Sequence, residues 1–178
     1  MAARSPIRFA LFLAPLFVLG LTAPIRVRAA TSAPVSDQAQ TVVNAALSVR
    51  KGTNQTFTVG MTGTLTRVDL PLCTRAKGNS VVLQVVRKSS PQKSLSIPEQ
   101  IALSFGVSSY KCNWDTFTLA APMSVTSGEV LDLVVIRVKG FAPLWGVDNK
   151  GGDPYPRGVG TWQGHTINDF AFRTWVAP

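Results

Sequence analysis

The stretch from Glu129 to Val138, EVLDLVVIRV, most constrains what this chain can fold into. Its alternate residues form two sets that are both largely apolar, which predicts a strand covered on both faces in the middle of a sheet. The stretch from Ser80 to Arg87, SVVLQVVR, has the same character. No convincing amphipathic helix follows residue 30, and turn residues separate at least six candidate strands. We therefore predict an all-β fold: a single-domain antiparallel β-sandwich of the jelly-roll type.

The remaining candidate strands alternate more regularly between apolar and polar residues, as half-buried strands do. Residues Gln100 to Phe105 are compatible with either a short strand or one helical turn. Pro122 together with Ser127-Gly128 indicates a turn. The other predicted strands are Gln55 to Met61, Thr64 to Leu72, Trp114 to Leu119 and Asp169 to Val176.

The N-terminus has the organisation of a secretory signal peptide. Arg4 and Arg8 precede an apolar run from Phe9 to Leu21, and Val27-Arg28-Ala29 forms a small-residue cleavage pattern. We predict a signal peptide over residues 1–29 and a secreted, extracellular protein. Retention as a membrane anchor is the alternative, although the run is shorter than the roughly 20 residues that span a bilayer. The small, polar residues 30–42 are predicted to be a linker before a β-sandwich domain over residues 43–178.

The charge excess depends partly on that N-terminal segment. The chain has 18 Lys and Arg residues against nine acids, and four of the arginines lie within residues 1–29. The remaining 14 basic residues are scattered, with Arg50-Lys51 and Arg87-Lys88 as the closest groups. Nucleic-acid binding needs clustered cations, so we expect no nucleic-acid partner. We also expect no membrane span after cleavage, while attraction to anionic polymers or cell surfaces stays open.

Cys73 and Cys112 are the two cysteines of the chain. In an exported protein an even number of cysteines favours a disulfide, so we predict one between them. Two free thiols are the alternative.

The stretch from Gly140 to Gly164 is the candidate working surface, because it holds seven of the chain's 14 glycines and is too long for a hairpin turn. Three aromatic rings could form a platform for sugar rings, with four polar side chains bonding the hydroxyl groups. The alternative is that the tryptophans fill or cap the core; Tyr155, between two prolines, is expected to be exposed. The candidate ligand-binding residues are Trp145, Asp148, Asn149, Asp153, Tyr155, Arg157 and Trp162.

Metal binding and catalysis are the less favoured interpretations of this stretch and the residues that follow it. Asp148, Asp153 and Asp169 could hold Ca²⁺ together with loop carbonyls, but turn formation and pairing explain them more simply, so we predict no cofactor. His165 is the only histidine, and no G-x-S-x-G or H-E-x-x-H pattern occurs. We therefore predict no enzyme activity, with a carboxylate-pair polysaccharide hydrolase as the residual possibility.

Several ordered motifs between about residues 54 and 176 resemble a known group. They are FTVGMTGTL from Phe57, FTLAAPMSVTSGEVLDLVVI from Phe117, the Asp153-Pro154-Tyr155 loop and the ending DFAFRTWV from Asp169. This order is similar to jelly-roll modules that recur in secreted bacterial proteins. The resemblance implies a β-sandwich like carbohydrate-binding and discoidin-like modules, with no settled ligand and no catalytic residues.

Together these features predict a secreted, non-catalytic module that binds a glycan or cell-envelope polymer through the Gly140 to Gly164 stretch. The alternative is a structural or assembly protein of the extracellular surface that uses the same stretch for protein contacts.

Overall fold

A computed structural model of the chain describes residues 32–73, 79–88, 99–102 and 112–178, with the side chains of 99–102 excepted. The predicted signal peptide, residues 1–29, lies outside these ranges. The described residues form twelve strands: β1 Val35–Gln40, β2 Ala45–Ser48, β3 Asn54–Thr58, β4 Gly63–Cys73, β5 Ser80–Arg87, β6 Glu99–Ala102, β7 Asn113–Val125, β8 Val130–Lys139, β9 Leu144–Val147, β10 Gly160–Trp162, β11 His165–Ile167 and β12 Phe172–Ala177.

The strands pair into two antiparallel sheets that pack together. One sheet has the order β1-β12-β4-β9-β2, with β7 also paired to β4. The other has the order β11-β10-β3-β8-β5-β6. The predicted all-β sandwich is therefore confirmed, while its jelly-roll connectivity stays a prediction. Within the part of the chain that the structure describes, no helix has the length and apolar character needed to cross a membrane.

The core consists of the inward-facing residues of both sheets. From β8 come Leu131, Leu133 and Val135, all at most 3% exposed. Apolar residues of β5 and β4 flank and face them, as period-two alternation requires. The apolar members of those two strands that are at most 2% exposed are Val81, Leu83, Val85, Leu65, Val68, Leu70 and Leu72.

The central position predicted for β8 is confirmed, because this strand lies between β3 and β5. The prediction of cover on both faces is wrong at its C-terminal end, where Ile136 and Val138 are 39% and 51% exposed. Side chains of an adjacent strand shield their neighbours on the same face, and β3 is too short to supply them here. The pairing of β3 with β8 ends at Asn54 opposite Val134, so β8 runs on without that neighbour.

Two boundaries differ from the sequence prediction. Residues 35–40 of the expected linker form β1, which pairs with β12. This polar segment is ordered by its backbone hydrogen bonds to β12, so it needs little apolar surface of its own. Pro122 lies inside β7 and not in a turn, at an irregularity of the β4–β7 ladder where its missing N–H is tolerated.

Other predicted features agree with the structure. The ambiguous segment after Pro98 includes a strand, β6. Ser127 and Gly128 form the turn between β7 and β8. The predicted disulfide joins Cys73, at the end of β4, to Cys112, directly before β7. The Leu72–Asn113 register of these two strands brings the cysteines together.

Candidate functional site

Trp145 is fully buried on β9. Its indole stacks on Phe170 with 4.5 Å between ring centroids, and its Nε1 donates a hydrogen bond to the carbonyl oxygen of Ala171 at 2.8 Å. A ring without an exposed face cannot stack on a sugar. The structure therefore gives Trp145 the core-filling role that the sequence left as an alternative.

Tyr155 is also buried, at 5% exposure, so the expectation that it is exposed is wrong. Its ring packs edge-on against Phe172 with 5.0 Å between centroids. Its hydroxyl group lies 3.0 Å from Oε1 of Gln38 and 3.3 Å from the carbonyl oxygen of Thr58, and burial raises the pKa of Tyr155 to about 12. The flanking prolines restrict the backbone but do not decide which way the ring points.

Asp148 and Asn149 are fixed by the segment between β1 and β2. Asp148 Oδ1 accepts hydrogen bonds from Asn44 Nδ2 and from the backbone N–H of Lys150. The bond from Lys150 is the largest cause of the lowered pKa of Asp148. The backbone N–H of Asn149 donates to Asn44 Oδ1 at 2.9 Å, and its side chain is exposed.

Asp169, which follows the Gly140 to Gly164 stretch, is buried at 3% exposure. Its Oδ1 accepts from Gln55 Nε2 at 2.8 Å and its Oδ2 from the backbone N–H of Tyr155 at 3.1 Å. Burial raises the pKa of Asp169, and the nearby Asp153 carboxylate adds to the rise. Among the described residues, no group of three or more His, Cys, Asp or Glu side chains could hold a metal ion. The oxygens of Asp148 and Asp169 accept hydrogen bonds from the chain itself.

Trp162 and Arg157 keep exposed surface. Trp162 is half-buried at the edge of the core, with its Nε1 donating to the carbonyl oxygen of Ser48 at 2.8 Å. Arg157 is exposed, and its guanidinium lies 3.3 Å from Oε1 of Gln38. Asp153 is exposed as well. The three aromatic rings thus form no exposed platform, and ligand contacts by Asn149, Asp153, Arg157 and Trp162 stay a prediction.

The residues that hold the Gly140 to Gly164 stretch in place were not predicted from the sequence. Gln38 lies on β1 and Asn44 follows that strand, both in the N-terminal part of the domain. Gln55 is fully buried on β3, where its Oε1 accepts from the backbone N–H of Phe170 at 2.7 Å. The available signal was its parity: in the predicted strand Gln55 lies on the same face as the apolar Phe57 and Val59, where a buried glutamine needs hydrogen-bond partners.

A separate cleft of about 740 Å³ opens between the turn before β3 and the second half of β8. Its volume is in the range of small-ligand sites. We call it the basic cleft, and its lining residues are Val49, Arg50, Lys51, Gly52, Thr53, Val134, Val135, Ile136, Arg137 and Ala142.

The basic cleft results from the unequal lengths of β3 and β8. Before Asn54 the chain leaves the sheet in a tight turn, in which the Thr53 N–H donates to the Arg50 carbonyl at 3.0 Å and the Arg50 N–H donates to Thr53 Oγ1 at 3.1 Å. Gly52 has a φ of +78° in this turn, a backbone conformation that favours glycine. β8 continues straight on, so a gap opens beside its unpaired edge.

The charge of the basic cleft has one sign. Arg50, Lys51 and Arg137 are exposed, and none of the ten lining residues is acidic. The ion pairs found among the described residues, Arg67–Asp69 and Arg87–Glu129, involve none of the three. The next acid along β8, Asp132, is outside the lining and accepts a hydrogen bond from Asn54 Nδ2. Three cations are therefore available to a ligand.

No protein-family model matches this sequence, and no curated protein matches it either.

Proposed function

We propose that the protein is a secreted, non-catalytic binding module that holds an anionic glycan or cell-envelope polymer in the basic cleft. The observation that carries this proposal is the meeting of Arg50, Lys51 and Arg137 in one cleft without an acid in its lining. Guanidinium groups bind carboxylates and phosphates through paired, charge-assisted hydrogen bonds. A sugar polymer with carboxylate or phosphate groups would satisfy these donors.

The walls of the cleft suit the remaining surface of such a ligand. Ile136 and Ala142, which keep exposed surface, supply apolar contacts for the C–H faces of sugar rings. Ala142 belongs to the Gly140 to Gly164 stretch, and Trp162 of that stretch bonds to Ser48, the residue before Val49. Part of the Gly140 to Gly164 stretch thus lies at the proposed binding site. The charged cleft takes the place of the aromatic platform that the sequence predicted.

The chemistry of the lining favours binding over turnover. Its hydroxyl group, on Thr53, accepts a hydrogen bond from the Arg50 N–H, and the ten residues include no histidine, cysteine or carboxylate. A hydrolase would need a general acid or base within reach of its substrate.

Isothermal titration calorimetry with three oligomeric probes tests the proposal. The probes are a polygalacturonate oligomer, a poly(glycerol phosphate) oligomer and a neutral glucan of similar length. We expect the protein to bind one or both anionic probes and not the glucan. Arg137→Glu should weaken that binding by about tenfold or more, because it removes charge-assisted hydrogen bonds and adds repulsion.

Lys150→Glu is the matched control, since it makes the same change of charge at an exposed position outside the cleft. It should weaken binding far less than Arg137→Glu. Equal losses in the two variants would show a response to net charge alone. Glucan binding as tight as that of the anionic probes would also overturn the proposal.

A further inference from the structure

The end of β8 and the residues after it expose an unusual amount of apolar surface. Phe141 is 72% exposed, Val138 51% and Ile136 39%, and these are three of the six large exposed hydrophobic residues in the described chain. Half of that set therefore lies within six consecutive residues. We call residues 136–141 the β8 tip.

The β8 tip is held by the neighbouring strand. Lys139 pairs with Ser80 of β5, and the Phe141 N–H donates to Asn79 Oδ1 at 2.9 Å. Gly140 between them has a φ of +84° and lies against Asn79, where an added Cβ would come within 1.9 Å of Oδ1. Because the backbone is already ordered, binding through Phe141 does not have to order this segment of the chain.

Cations accompany this apolar surface. Arg137 and Lys139 belong to the β8 tip, and Arg50 and Lys51 lie across the adjoining cleft. The sequence of the tip, IRVKGF, contains no acid. An exposed aromatic and aliphatic group flanked by Lys and Arg is the composition of segments that lie in the interface of an anionic bilayer.

We propose that the β8 tip docks on the surface of an anionic lipid membrane. Phe141 and Val138 enter the boundary between headgroups and acyl chains, while Arg137 and Lys139 pair with lipid phosphates. A protein partner fits less well, since lysine is depleted from protein interfaces and this tip presents one beside its apolar residues. The inference goes beyond binding in the basic cleft, because neither Phe141 nor Val138 lines that cleft.

Vesicle sedimentation tests this inference. The protein, with its N-terminus determined by mass spectrometry, is mixed with phosphatidylcholine vesicles or with vesicles containing about one third phosphatidylglycerol. We expect binding to the anionic vesicles that weakens as salt is added. Phe141→Ser should lower the partition coefficient by about tenfold, because an exposed aromatic side chain no longer enters the apolar phase.

Val138→Ser and Val42→Ser are a matched pair, since the two valines are 51% and 50% exposed but Val42 lies next to the other sheet. Only the change at Val138 should weaken vesicle binding. All variants share one N-terminus, so any contribution from it cancels in the comparison. Phe141→Ser should also leave binding of the anionic oligomers to the basic cleft unchanged, which separates the tip from the cleft.

Three results would overturn the inference. The first is no binding of the protein to anionic vesicles. The second is equal binding by the protein and Phe141→Ser. The third is self-association in sedimentation velocity that Phe141→Ser abolishes, which would make the β8 tip an interface between copies of this chain.

Discussion

The backbone N–H of Tyr155 donates a hydrogen bond to Oδ2 of Asp169 at 3.1 Å. This bond connects the middle of the Gly140 to Gly164 stretch to the residues directly before β12. Oδ1 of the same carboxylate accepts from Gln55 Nε2 at 2.8 Å. Gln55 is fixed in turn, because its Oε1 accepts from the Phe170 N–H. Asp169 thus joins β3, the loop and the last strand through one buried group.

Asp169→Asn is predicted to lower the free energy of unfolding by about 1 to 3 kcal/mol at neutral pH. Asparagine has one side-chain oxygen, so its Nδ2 must face either the Tyr155 N–H or Gln55 Nε2, and one donor loses its acceptor. Urea denaturation measures the change. Asp153→Asn, at an exposed position, keeps both hydrogen bonds to Asp169 and removes a like charge near it, so it should not lower the stability. An Asp169→Asn variant as stable as the parent would show that this carboxylate does not organise the loop.

The stability difference between the parent and Asp169→Asn is predicted to depend on pH. Burial raises the pKa of Asp169 above its ordinary value of 3.8. A folded-state pKa above the unfolded value contributes stability below the unfolded pKa, and that contribution is lost as the pH rises through the folded pKa. The advantage of the parent should therefore shrink from about pH 4 towards neutrality. Thermal melts of both proteins across that range measure it, and an advantage that grows with pH would contradict the assignment.

Tyr155 is predicted to make the protein lose stability in alkali. Burial raises the pKa of Tyr155 to about 12, against 10.0 for the free side chain. The unfolded chain releases this proton first, so stability should fall by about 2 kcal/mol between about pH 9 and pH 11.5. Tyr155→Phe should lose this part of the pH dependence. Other tyrosine and lysine groups are common to both proteins and cancel in the difference. Parallel stability curves for the two proteins would exclude a buried Tyr155.

The strands with strong patterns were predictable, and those stabilised by their partners were not. β5 and β8 are apolar on both parities, so the sequence alone predicts their central positions. β1 is small and polar, and its order comes from pairing with β12, which no local pattern reveals. β9 and β10 are four and three residues long, too short for a period-two signal among glycines.

The candidate site was predictable only in its parts. Arg50-Lys51 is visible as a basic pair, but Arg137 lies on a distant strand, and only the β3–β8 register brings the two together. The aromatic residues of the glycine-rich stretch have the composition of a sugar platform. Trp145 and Tyr155 are nevertheless buried, because β9 and the Asp169 bond turn them inward. Side-chain direction in such a stretch follows from tertiary contacts, not from spacing.

The disulfide is predicted to stabilise the protein by about 3 to 4 kcal/mol. It closes a sequence separation of 39 residues, which restricts the unfolded chain more than the folded one. The double variant Cys73→Ser/Cys112→Ser should therefore unfold at lower urea concentration than the oxidised parent. Reductant should destabilise the parent to a similar level and leave the variant unchanged. A reductant effect on the variant would point to a different cause.

Gly140→Ala is predicted to destabilise the protein more than Gly151→Ala does. Both glycines have a positive φ, +84° and +89°, so each alanine incurs a backbone penalty of about 1 to 2 kcal/mol. An added Cβ at Gly151 meets nothing within 4 Å, whereas one at Gly140 overlaps Asn79 Oδ1 and should lower the free energy of unfolding by about 1 kcal/mol or more beyond that penalty. Urea denaturation of the two variants compares them directly.

Because the same Oδ1 accepts the Phe141 N–H, Gly140→Ala should also weaken vesicle binding while Gly151→Ala should not. Equal stability of the two variants would mean that Asn79 yields without loss, and the β8 tip would then not be held by this contact.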